Sequence, residues 1–362
     1  MRSIRDIRLF ENIPILVRAT LNVPFAEGKV TNDYRLRRAL PTIKYLRERG
    51  ARIILISHVT GQGTETLAPA AAALGSLIPG VSFFGETVGP RVREAVRGLA
   101  PGKILVLENL RRNPGEVAND PTFARELAAL ADIFVQDSFD TCHRRHASIV
   151  GVPEFLPSYA GLLLEDEIRE LSRALRPKHP ALAVIGGAKF NTKEPVLATL
   201  LKTYDHVFVG GALANDFLKA SGQEVGKSFV SNADLTHIKK LLGNSKLVLP
   251  VDSVVIDEKI LDHGPNTVAL LADLAKRAKT ILWNGPLGKY EEGFIDATDA
   301  FARAVADSGA YSVVGGGDTI ASIEGLGLLP RFSFVSTAGG AMLAFLARGT
   351  LPGIEALDNT PG

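Results

Sequence analysis

The sequence predicts an α/β protein whose parallel sheets carry helices on both faces. Short apolar, β-branched runs alternate with amphipathic or Ala/Leu-rich stretches, the pattern of repeated strand–helix–strand units. Several runs end in glycine, and in open parallel sheets ligands bind at the carboxyl ends of strands. A chain of 362 residues is too long for one ordinary core, so about two domains are expected.

Each predicted strand is one of the apolar runs, and each predicted helix is one of the amphipathic or Ala/Leu-rich stretches. The predicted strands are Ile13–Val17, Ile53–Ile56, Ile104–Leu107, Ile133–Val135, Leu182–Ile185, Val207–Val209, Leu247–Leu249, Thr280–Trp283, Ser312–Val314 and Phe332–Val335. The predicted helices are Asp33–Arg49, Thr122–Ala131, Leu162–Leu175, Thr192–Tyr204, Ala297–Asp307, Thr319–Glu324 and Gly339–Ala347.

A proline-bounded stretch, Gly151–Pro157, separates two halves of the chain, and a helical run follows it. We read this stretch as a domain boundary with a connecting helix. The expected division is an N-terminal domain at 1–155, a connecting segment at 156–178, a second domain at 179–344, and a C-terminal segment at 345–362 that returns to the first domain.

Composition narrows the class of protein. Apolar residues make up 46% of the chain, enough for a sizeable core. The sequence contains no run of the ~20 apolar residues that a membrane helix needs and no signal-peptide pattern at its start. A single cysteine, Cys142, excludes an internal disulfide framework, so a cytoplasmic location is the expectation.

The charge is unevenly distributed. Residues 1–150 contain 21 Lys and Arg against 15 Asp and Glu, a net charge of +6, whereas the remainder has a net charge of −4. The basic half suits a small anionic ligand. It is too weakly charged, and too poor in interleaved aromatic residues, to indicate nucleic-acid binding.

The segment Gly315–Thr319 follows an apolar strand and precedes a predicted helix. Backbone N–H groups and the positive end of the helix dipole bind phosphate at such a helix start. Asp318 is a candidate ligand for Mg²⁺, which prefers oxygen. The alternative is a tight turn in which Asp318 only caps the helix. The motif is not a P-loop, because no Gly-x-x-x-x-Gly-Lys-Ser/Thr occurs.

A second candidate phosphate site is Gly186–Lys189, with Lys193 four residues further on. Two lysines at this spacing near a helix start project to one face, where they can act as point charges toward phosphates. The alternative is an ordinary solvated helix end. Glycines also follow the strands that end at Val209 and Trp283, so the second half carries four such strand ends.

The first half offers basic residues at the ends of apolar runs or at a helix start. These are Arg18, Arg35, His58, Arg111 and Arg144. Arginine matches the geometry of phosphate and carboxylate groups, although any one of these residues alone could be surface charge. His143 and His146 could be metal ligands, but no further Cys/His pattern supports a zinc site.

Covalent catalysis is not indicated. The sequence has no Gly-x-Ser-x-Gly motif, and Cys142 lacks a convincing base. The chemical inventory is instead cations and backbone dipoles, which suits phosphoryl transfer, where positioning and charge neutralisation dominate.

Jointly the motifs resemble those of the phosphoglycerate kinase family, over about Ile15 to Leu357. The segments that carry the resemblance are Leu16–Pro24, Thr31–Arg35, Glu108–Arg111, His143–Ser148, Gly187–Lys189, Trp283–Pro286, Gly315–Thr319 and Ser336–Gly340. The resemblance implies two Rossmann-like domains facing across a hinged cleft, and reversible phosphoryl transfer between 1,3-bisphosphoglycerate and Mg-ADP in glycolysis, giving 3-phosphoglycerate and ATP.

The resemblance also implies residue roles. The phosphoglycerate site would comprise Arg18, Asn22, Arg35, His58, Arg111 and Arg144. Catalysis would use Arg35 and Lys189 to neutralise the phosphoryl group, with the amides of Gly316 and Gly317. The nucleotide site would comprise Gly187, Ala188, Lys189, Lys193, Gly211, Asn284, Pro286, Glu291 and Gly315–Thr319, with Asp318 on Mg²⁺. The implied protein is a cytoplasmic monomer without nucleic-acid or membrane partners, whose domains close on ATP or ADP.

Four positions depart from the family pattern. The family usually has Asp where Thr20 stands, Arg where Gly61 stands, Asp where Thr192 stands, and Gly where Ala338 stands. Two of these departures lie in the acceptor pocket. They leave two alternatives open: a nucleotide-binding relative that binds or regulates without catalysing this reaction, and a kinase for another small carboxylate.

Overall fold

The computed structural model divides the chain into two compact units by its internal contacts. Unit 1 comprises Met1–Ile168 with Thr350–Gly362, and unit 2 comprises Arg169–Gly349. The residues described are 1–8, 10–59, 61, 65–188, 190–358 and 360–361, with the backbone alone at Leu235. The division between the units falls inside a helix, Leu162–Ala174.

Unit 1 is built on a six-stranded parallel sheet with a separate two-stranded hairpin. The eight strands of the unit are β1 (Pro14–Ala19), β2 (Phe25–Ala26), β3 (Lys29–Val30), β4 (Arg52–Ile56), β5 (Val81–Phe84), β6 (Ile104–Leu107), β7 (Ile133–Asp137) and β8 (Ser158–Ala160). Its helices are α1 (Tyr34–Glu48), α2 (Ala68–Leu77), α3 (Pro90–Arg97), α4 (Pro114–Ala118) and α5 (Pro121–Ala128), and the helix that contains the division is α6 (Leu162–Ala174). The sheet order is β5–β6–β4–β1–β7–β8, and β2 pairs with β3 in a separate hairpin.

The central strand β1 shows why this sheet is parallel and buried on both faces. Ile15 and Val17 point into one apolar cluster, and Leu16, between them, points into another with Ile54 and Phe134. A strand covered by helices on both faces needs apolar residues at successive positions rather than at alternate ones. The continuous apolar run in β1 therefore fixes its central position.

Unit 2 repeats this architecture. Its strands are β9 (Ala181–Ile185), β10 (His206–Val209), β11 (Leu247–Val248), β12 (Ser253–Ile256), β13 (Lys259–His263), β14 (Thr280–Asn284), β15 (Tyr311–Gly315) and β16 (Phe334–Val335). Its helices are α7 (Glu194–Thr203), α8 (Ala212–Ala220), α9 (Leu235–Leu242), α10 (Pro265–Arg277), α11 (Asp296–Asp307), α12 (Gly317–Gly325) and α13 (Gly340–Arg348). The parallel sheet has the order β11–β10–β9–β14–β15–β16, and β12 pairs with β13 in a hairpin.

The C-terminal residues Thr350–Gly362 belong to unit 1, whereas residues 345–349 belong to unit 2. Helix α14 (Pro352–Glu355) lies against Cys142, whose carbonyl accepts a 2.9 Å hydrogen bond from the N–H of Gly353. A Cβ at Gly353 would lie 3.0 Å from the Cα of Cys142, so only glycine fits this contact. The amino group of Met1 pairs with Asp358 at 2.9 Å.

The predicted fold class is confirmed, and every predicted strand has a counterpart. The strand predicted at Phe332–Val335 is shorter, Phe334–Val335, because Leu329–Arg331 forms a 3-10 helix. The sequence interpretation missed the edge strands β5 and β8 and the hairpin strands β2, β3, β12 and β13. Ser82 interrupts the apolar run of β5, and β8 is only the three residues Ser158–Ala160, so neither edge strand has a continuous apolar run. None of the described helices is long and apolar enough to cross a membrane.

Trp283 is the largest fully buried side chain. Its indole N–H donates to the carbonyl of Gly285 at 2.9 Å, and its ring meets Phe301 edge-on at 4.9 Å.

Trp283→Phe keeps an aromatic ring and leaves that carbonyl without its donor. We expect the free energy of unfolding of unit 2 to fall by about 1–3 kcal/mol, measured by urea denaturation followed by circular dichroism. The control, Tyr290→Phe, removes a hydroxyl with no hydrogen bond to a described residue and should change stability by less than about 0.5 kcal/mol. Equal losses in both variants would contradict the role given to the indole.

Candidate active site

The basic residues of unit 1 meet where its strands end. Arg18 lies near the end of β1, His58 follows β4, Arg111 follows β6, and Arg144 follows β7. These strands are parallel neighbours, so their carboxyl ends lie at one edge of the sheet. The charges of Arg18, Arg111 and Arg144 all lower the pKa of His58, which places these groups in one electrostatic neighbourhood.

Arg18 is almost completely buried, with 1% of its surface exposed, and hydrogen bonds hold its charged guanidinium group in place. Its Nε donates to Ser148 Oγ at 3.0 Å, and its Nη1 donates to the Ala19 carbonyl at 3.0 Å and to Ser57 Oγ at 3.2 Å. Burial lowers its pKa, and Glu116 is the main group that opposes this shift. Buried charge is costly unless it is hydrogen-bonded and balanced. This arrangement meets both conditions.

His58 is a neutral member of this cluster. Arg18 Nη2 lies 2.9 Å from His58 Nδ1, and since arginine can only donate, Nδ1 accepts. Burial, reinforced by the neighbouring arginines, lowers the pKa of His58 far below its usual range. For the same reasons the pKa of His146 falls to about 4. At neutral pH the positive charge therefore comes from the arginines.

Two loops are tied together beside these residues by Asn109. Its Oδ1 accepts from the N–H of Val59 at 3.2 Å and from the N–H of Arg111 at 3.1 Å. Asn109 thus fixes the segment after β4 to the segment after β6. Elsewhere in unit 1, Arg35 Nη1 donates to the Asn22 carbonyl at 2.8 Å, and the buried Oδ1 of Asn22 has no hydrogen-bond partner among the described residues.

The two departures in this half differ in their surroundings. Thr20 is fully buried, and its hydroxyl donates to Asp140 Oδ1 at 3.0 Å. Gly61 is exposed, with φ +152°, and an added Cβ would lie 1.8 Å from Glu65 Oε1. The backbone at Gly61 thus has a conformation that L side chains rarely adopt, so restoring an arginine there would require the loop to change.

In unit 2 the glycine-bearing strand ends converge. A Cβ at Gly186 would lie 2.1 Å from the Pro286 carbonyl oxygen, and one at Gly211 would lie 2.8 Å from the Gly187 nitrogen. A Cβ at Gly316, where φ is +107°, would lie 3.2 Å from the Gly285 nitrogen. Backbone packs on backbone at these points, and only glycine permits that approach. The glycines after β9, β10, β14 and β15 therefore form one continuous surface.

A cavity of about 620 Å³ opens on this surface, a size usual for small-ligand sites. Six of the sequence-predicted nucleotide residues line it: Gly187, Ala188, Gly211, Pro286, Glu291 and Asp318. Further lining residues were not anticipated from the sequence: Asn215, Lys227, Lys259, His263 and Lys289. The backbone forms one wall of the cavity. Its charged lining residues, among those described, are three lysines and three acids, Asp262, Glu291 and Asp318, and two of the lysines, Lys227 and Lys289, pair with Glu258 and Glu292.

Helix α12 begins beside this cavity without a side-chain cap. Gly316 occupies the N-cap position and provides no side-chain acceptor, and a Cβ on Gly317 would have no heavy atom within 4 Å. Asp318 lies in the first turn and is exposed, so the simple capping interpretation of Asp318 is wrong. The first-turn N–H groups of a helix have no intrahelical acceptor. The open helix start can therefore receive an anion.

Asp318 suits a cation as well. Although Asp318 is an exposed residue, partial desolvation of its carboxyl group, followed by the negative charge of Glu291, raises its pKa. A divalent cation would relieve that repulsion. Among the described residues no group of three His, Cys, Asp or Glu side chains could hold a metal by itself. One carboxylate combined with ligand phosphates is the usual way in which Mg²⁺ is bound, so Asp318 fits a metal that arrives with a nucleotide.

Of the two lysines in the second motif, Lys193 lies near the glycine surface. Lys193 precedes α7, is 9% exposed, and lies beside Gly187: a Cβ there would be 2.7 Å from its Nζ. This proximity brings a cation to the end of β9. Lys189 lies outside the described residues.

Other predicted nucleotide residues lie behind the surface. Asn284 is buried, and its Nδ2 donates to the Gly339 carbonyl at 3.4 Å. Thr319 is fully buried. A Cβ at Gly315 would lie 2.3 Å from Met342 Sδ. The side chains of Asn284 and Thr319 therefore support the loops from behind rather than line the cavity.

Of the residues that sequence reasoning missed, His263 has the clearest structural task. Its Nε2 accepts from the N–H of Gly211 at 3.2 Å, and its ring meets Phe208 edge-on at 5.5 Å. Burial lowers its pKa to about 4, so it is neutral and can accept at physiological pH. It lies at the end of β13, a strand outside the main sheet. Gly264 and Pro265 follow it directly, a turn signal that the sequence interpretation did not use.

Cys142 takes no part in this chemistry. It is a free thiol, fully buried, and burial followed by the charge of Asp140 raises its pKa well above the usual range. A thiol that stays protonated is a poor nucleophile, which agrees with an inventory of cations and dipoles.

Comparison with known proteins gives one consistent result. A phosphoglycerate kinase family model matches residues 4–348. Phosphoglycerate kinase of Moorella thermoacetica is 42% identical, with 98% of both chains covered. That of Rubrobacter xylanophilus is 44% identical, also with 98% of each chain covered.

Solved structures agree. The phosphoglycerate kinase of Coxiella burnetii matches with a TM-score of 0.82 and 39% identity, covering 98% of each chain. That of Pyrococcus horikoshii matches with a TM-score of 0.90 and 31% identity, covering 99% of each chain. Together with the motifs and the two sites, these matches show that the chain belongs to the phosphoglycerate kinase family.

Proposed function

We propose that this chain transfers a phosphoryl group reversibly between 1,3-bisphosphoglycerate and ADP, giving 3-phosphoglycerate and ATP. Its family membership makes it a phosphotransferase with a carboxyl-group acceptor. The observation that carries the proposal is the pairing of two sites in one chain: an arginine cluster around Arg18 in unit 1, and a glycine-walled cavity beside an open helix start in unit 2.

The acceptor is proposed to bind at the arginine cluster. Arg18, Arg111 and Arg144 would supply positive charge, and His58, being neutral, would contribute hydrogen bonding. A phosphate and a carboxylate on one small molecule are the anions that such a cluster recognises. Asn22 presents a buried amide oxygen without a partner among the described residues, which is available to a donor on the ligand.

The nucleotide is proposed to occupy the cavity of unit 2. Gly187, Gly211 and Pro286 would flank the base and ribose, Glu291 would accept from a ribose hydroxyl, and Lys193 would hold phosphate oxygens. Mg²⁺ held by Asp318 and the phosphates would neutralise charge on the β- and γ-phosphates. Lys259, which also lines the cavity, would be within this site to contact a phosphate group.

In the direction of ATP formation, a β-phosphate oxygen of ADP forms a new bond to the phosphorus of the acyl phosphate. The bond from that phosphorus to the acyl oxygen breaks, and its electron pair stays on the carboxylate of 3-phosphoglycerate. Both oxygens are ionised when they attack, in either direction, so no general base is needed. Arg35, Lys189 and the amides of Gly316 and Gly317 would neutralise the phosphoryl group during transfer.

A coupled assay with ATP, Mg²⁺ and 3-phosphoglycerate tests the proposed function. We expect saturable turnover that depends on both substrates. A chain that binds nucleotide normally but shows no turnover at millimolar 3-phosphoglycerate would instead be the binding or regulatory relative that Thr20 and Gly61 suggest. Turnover with another small carboxylate in its place would support a changed acceptor.

A cytoplasmic monomer is part of the proposal. A single buried cysteine suits a reducing compartment, and family resemblance is the basis for expecting one chain per enzyme. Sedimentation velocity of the purified protein should give a single species near 38.7 kDa. A concentration-independent dimer would overturn this part of the proposal.

Arg35 tests the catalytic assignment. Arg35→Ala removes a charge proposed to act on the transferring group, so kcat should fall by about 10²–10³-fold. Arg37→Ala is the matched control: it lies in the same helix, is exposed, and pairs with Asp33 at 2.8 Å. That variant should keep kcat within about 2-fold. Equal effects of the two changes in steady-state assays would remove Arg35 from the mechanism.

Asp318 tests the metal assignment. Asp318→Asn should raise the Mg²⁺ concentration needed for half-maximal rate by about 10-fold or more, because a charged ligand is lost. Glu324→Gln changes an acid in the last turn of the same helix, outside the residues that line the cavity, and should leave that concentration unchanged. An unaltered Mg²⁺ titration in Asp318→Asn would contradict the assignment.

A further inference from the structure

Where the family usually has an aspartate, this chain has Thr20, whose side chain carries no negative charge. Thr20 is fully buried. Its hydroxyl donates to Asp140 Oδ1 at 3.0 Å, with a second, longer contact to the Asp137 carbonyl at 3.3 Å. The one proton of the hydroxyl is therefore engaged within the protein. Thr20 orients another residue rather than contacting a substrate.

The group that Thr20 orients is the carboxylate of Asp140. Asp140 is half-buried and follows β7 by three residues. The charge of Asp140 acts on both Arg18 and Arg111, so it lies within the arginine cluster. A carboxylate is thus present beside position 20, although it comes from a different strand end.

Hydrogen bonds leave one oxygen of Asp140 available. Oδ1 accepts from Thr20 Oγ1 and, at 2.7 Å, from Ser138 Oγ. Thr141 Oγ1 in turn lies 3.0 Å from Ser138 Oγ. These hydroxyls fix the plane of the carboxylate, and Oδ2 has no hydrogen-bond partner among the described residues. A fixed acceptor with a free oxygen is preorganised for a donor on a ligand.

We propose that Asp140 is a specificity-determining residue that binds the 2-hydroxyl of 3-phosphoglycerate, with Thr20 as its positioning residue. This inference rests on the proposed function. A carboxylate can only accept a hydrogen bond, and the other polar groups of 3-phosphoglycerate are a phosphate and a carboxylate, both anions that Asp140 repels. The hydroxyl is the one group of that substrate that Asp140 can hold.

The role proposed for Asp140 predicts the direction in which the affinity for 3-phosphoglycerate changes in Asp140→Asn. Asp140→Asn removes a negative charge from a pocket that binds anions, so general electrostatics predicts tighter binding of every anionic acceptor. Loss of a charge-assisted hydrogen bond to the hydroxyl instead predicts weaker binding of 3-phosphoglycerate alone. The two effects are separated by 3-phosphooxypropanoate, which keeps the phosphate and carboxylate but lacks the hydroxyl.

The experiment measures the affinities of these two ligands by calorimetry, and KM by coupled assay, in wild type and Asp140→Asn. We expect Kd and KM for 3-phosphoglycerate to rise by about 10–100-fold. The Kd of 3-phosphooxypropanoate should stay the same or fall, and the KM for ATP should stay within about 2-fold. Asp132→Asn, an exposed acid just before β7, is the matched control and should change none of these values.

Two further variants test the role of Thr20. Thr20→Val should raise Kd for 3-phosphoglycerate and have no added effect in the Asp140→Asn background, because both changes disable one interaction. Thr20→Asp with Asp140→Ala, which returns a carboxylate to position 20, should recover affinity relative to Asp140→Ala alone. Additive effects of Thr20→Val and Asp140→Asn would overturn the positioning role.

The outcomes separate the inference from the function it rests on. No turnover in wild type would sink the proposed function, whatever the variants do. Normal wild-type turnover with parallel shifts of both ligands in Asp140→Asn, or with no shift, would overturn the role of Asp140 alone. If Asp140→Asn is destabilised in thermal denaturation, the ratio of the two Kd values still decides, because misfolding lowers the active fraction equally for both ligands.

Discussion

The close approach of backbone to backbone at the ends of β9, β14 and β15 is the constraint on which the nucleotide half depends. A side chain at Gly186 would overlap the Pro286 carbonyl, and one at Gly316 would crowd the Gly285 nitrogen. Glycine at these positions costs conformational entropy in the unfolded chain. In return, the cavity has a wall of backbone groups, and helix α12 starts without a side chain in front of it. Trp283, bonded to the Gly285 carbonyl, holds this arrangement from the core.

In unit 1 the constraint is different, because the positive charge of Arg18 has to be stabilised away from water. Arg18 is almost completely buried and is stabilised by hydroxyl and carbonyl acceptors and by Glu116. Glu116 is itself held by the backbone and hydroxyl of Ser148, at 2.9 and 2.6 Å. Such preorganisation means that a bound anion meets charges already in place, so little reorganisation accompanies binding. The low pKa values of His58 and His146 keep those rings neutral and leave the charge to the arginines.

Much of this could be predicted from the sequence, because parallel sheets impose a simple rule. Buried strands read as continuous apolar runs, and their carboxyl ends share one edge. That rule predicts where the glycine-bearing strand ends of unit 2 and the basic residues of unit 1 lie. It could not locate His263 or Lys259, since both belong to a hairpin outside the main sheet whose position depends on tertiary packing. Nor could it pair Thr20 with Asp140, which are 120 residues apart in the chain and meet only through the register of β1 and β7.

We propose that each ligand has its own unit: phosphoglycerate at the arginine cluster, and nucleotide at the glycine-walled cavity. Hydrogen–deuterium exchange of the wild-type protein with each ligand alone tests this most directly. With 3-phosphoglycerate alone, we expect slower exchange in peptides at the ends of β1, β4 and β7. With Mg-ADP alone, we expect it in peptides containing Gly187, Gly211 and Gly316. Protection of the unit 1 strand ends by Mg-ADP alone, or of the unit 2 glycines by 3-phosphoglycerate alone, would contradict the account.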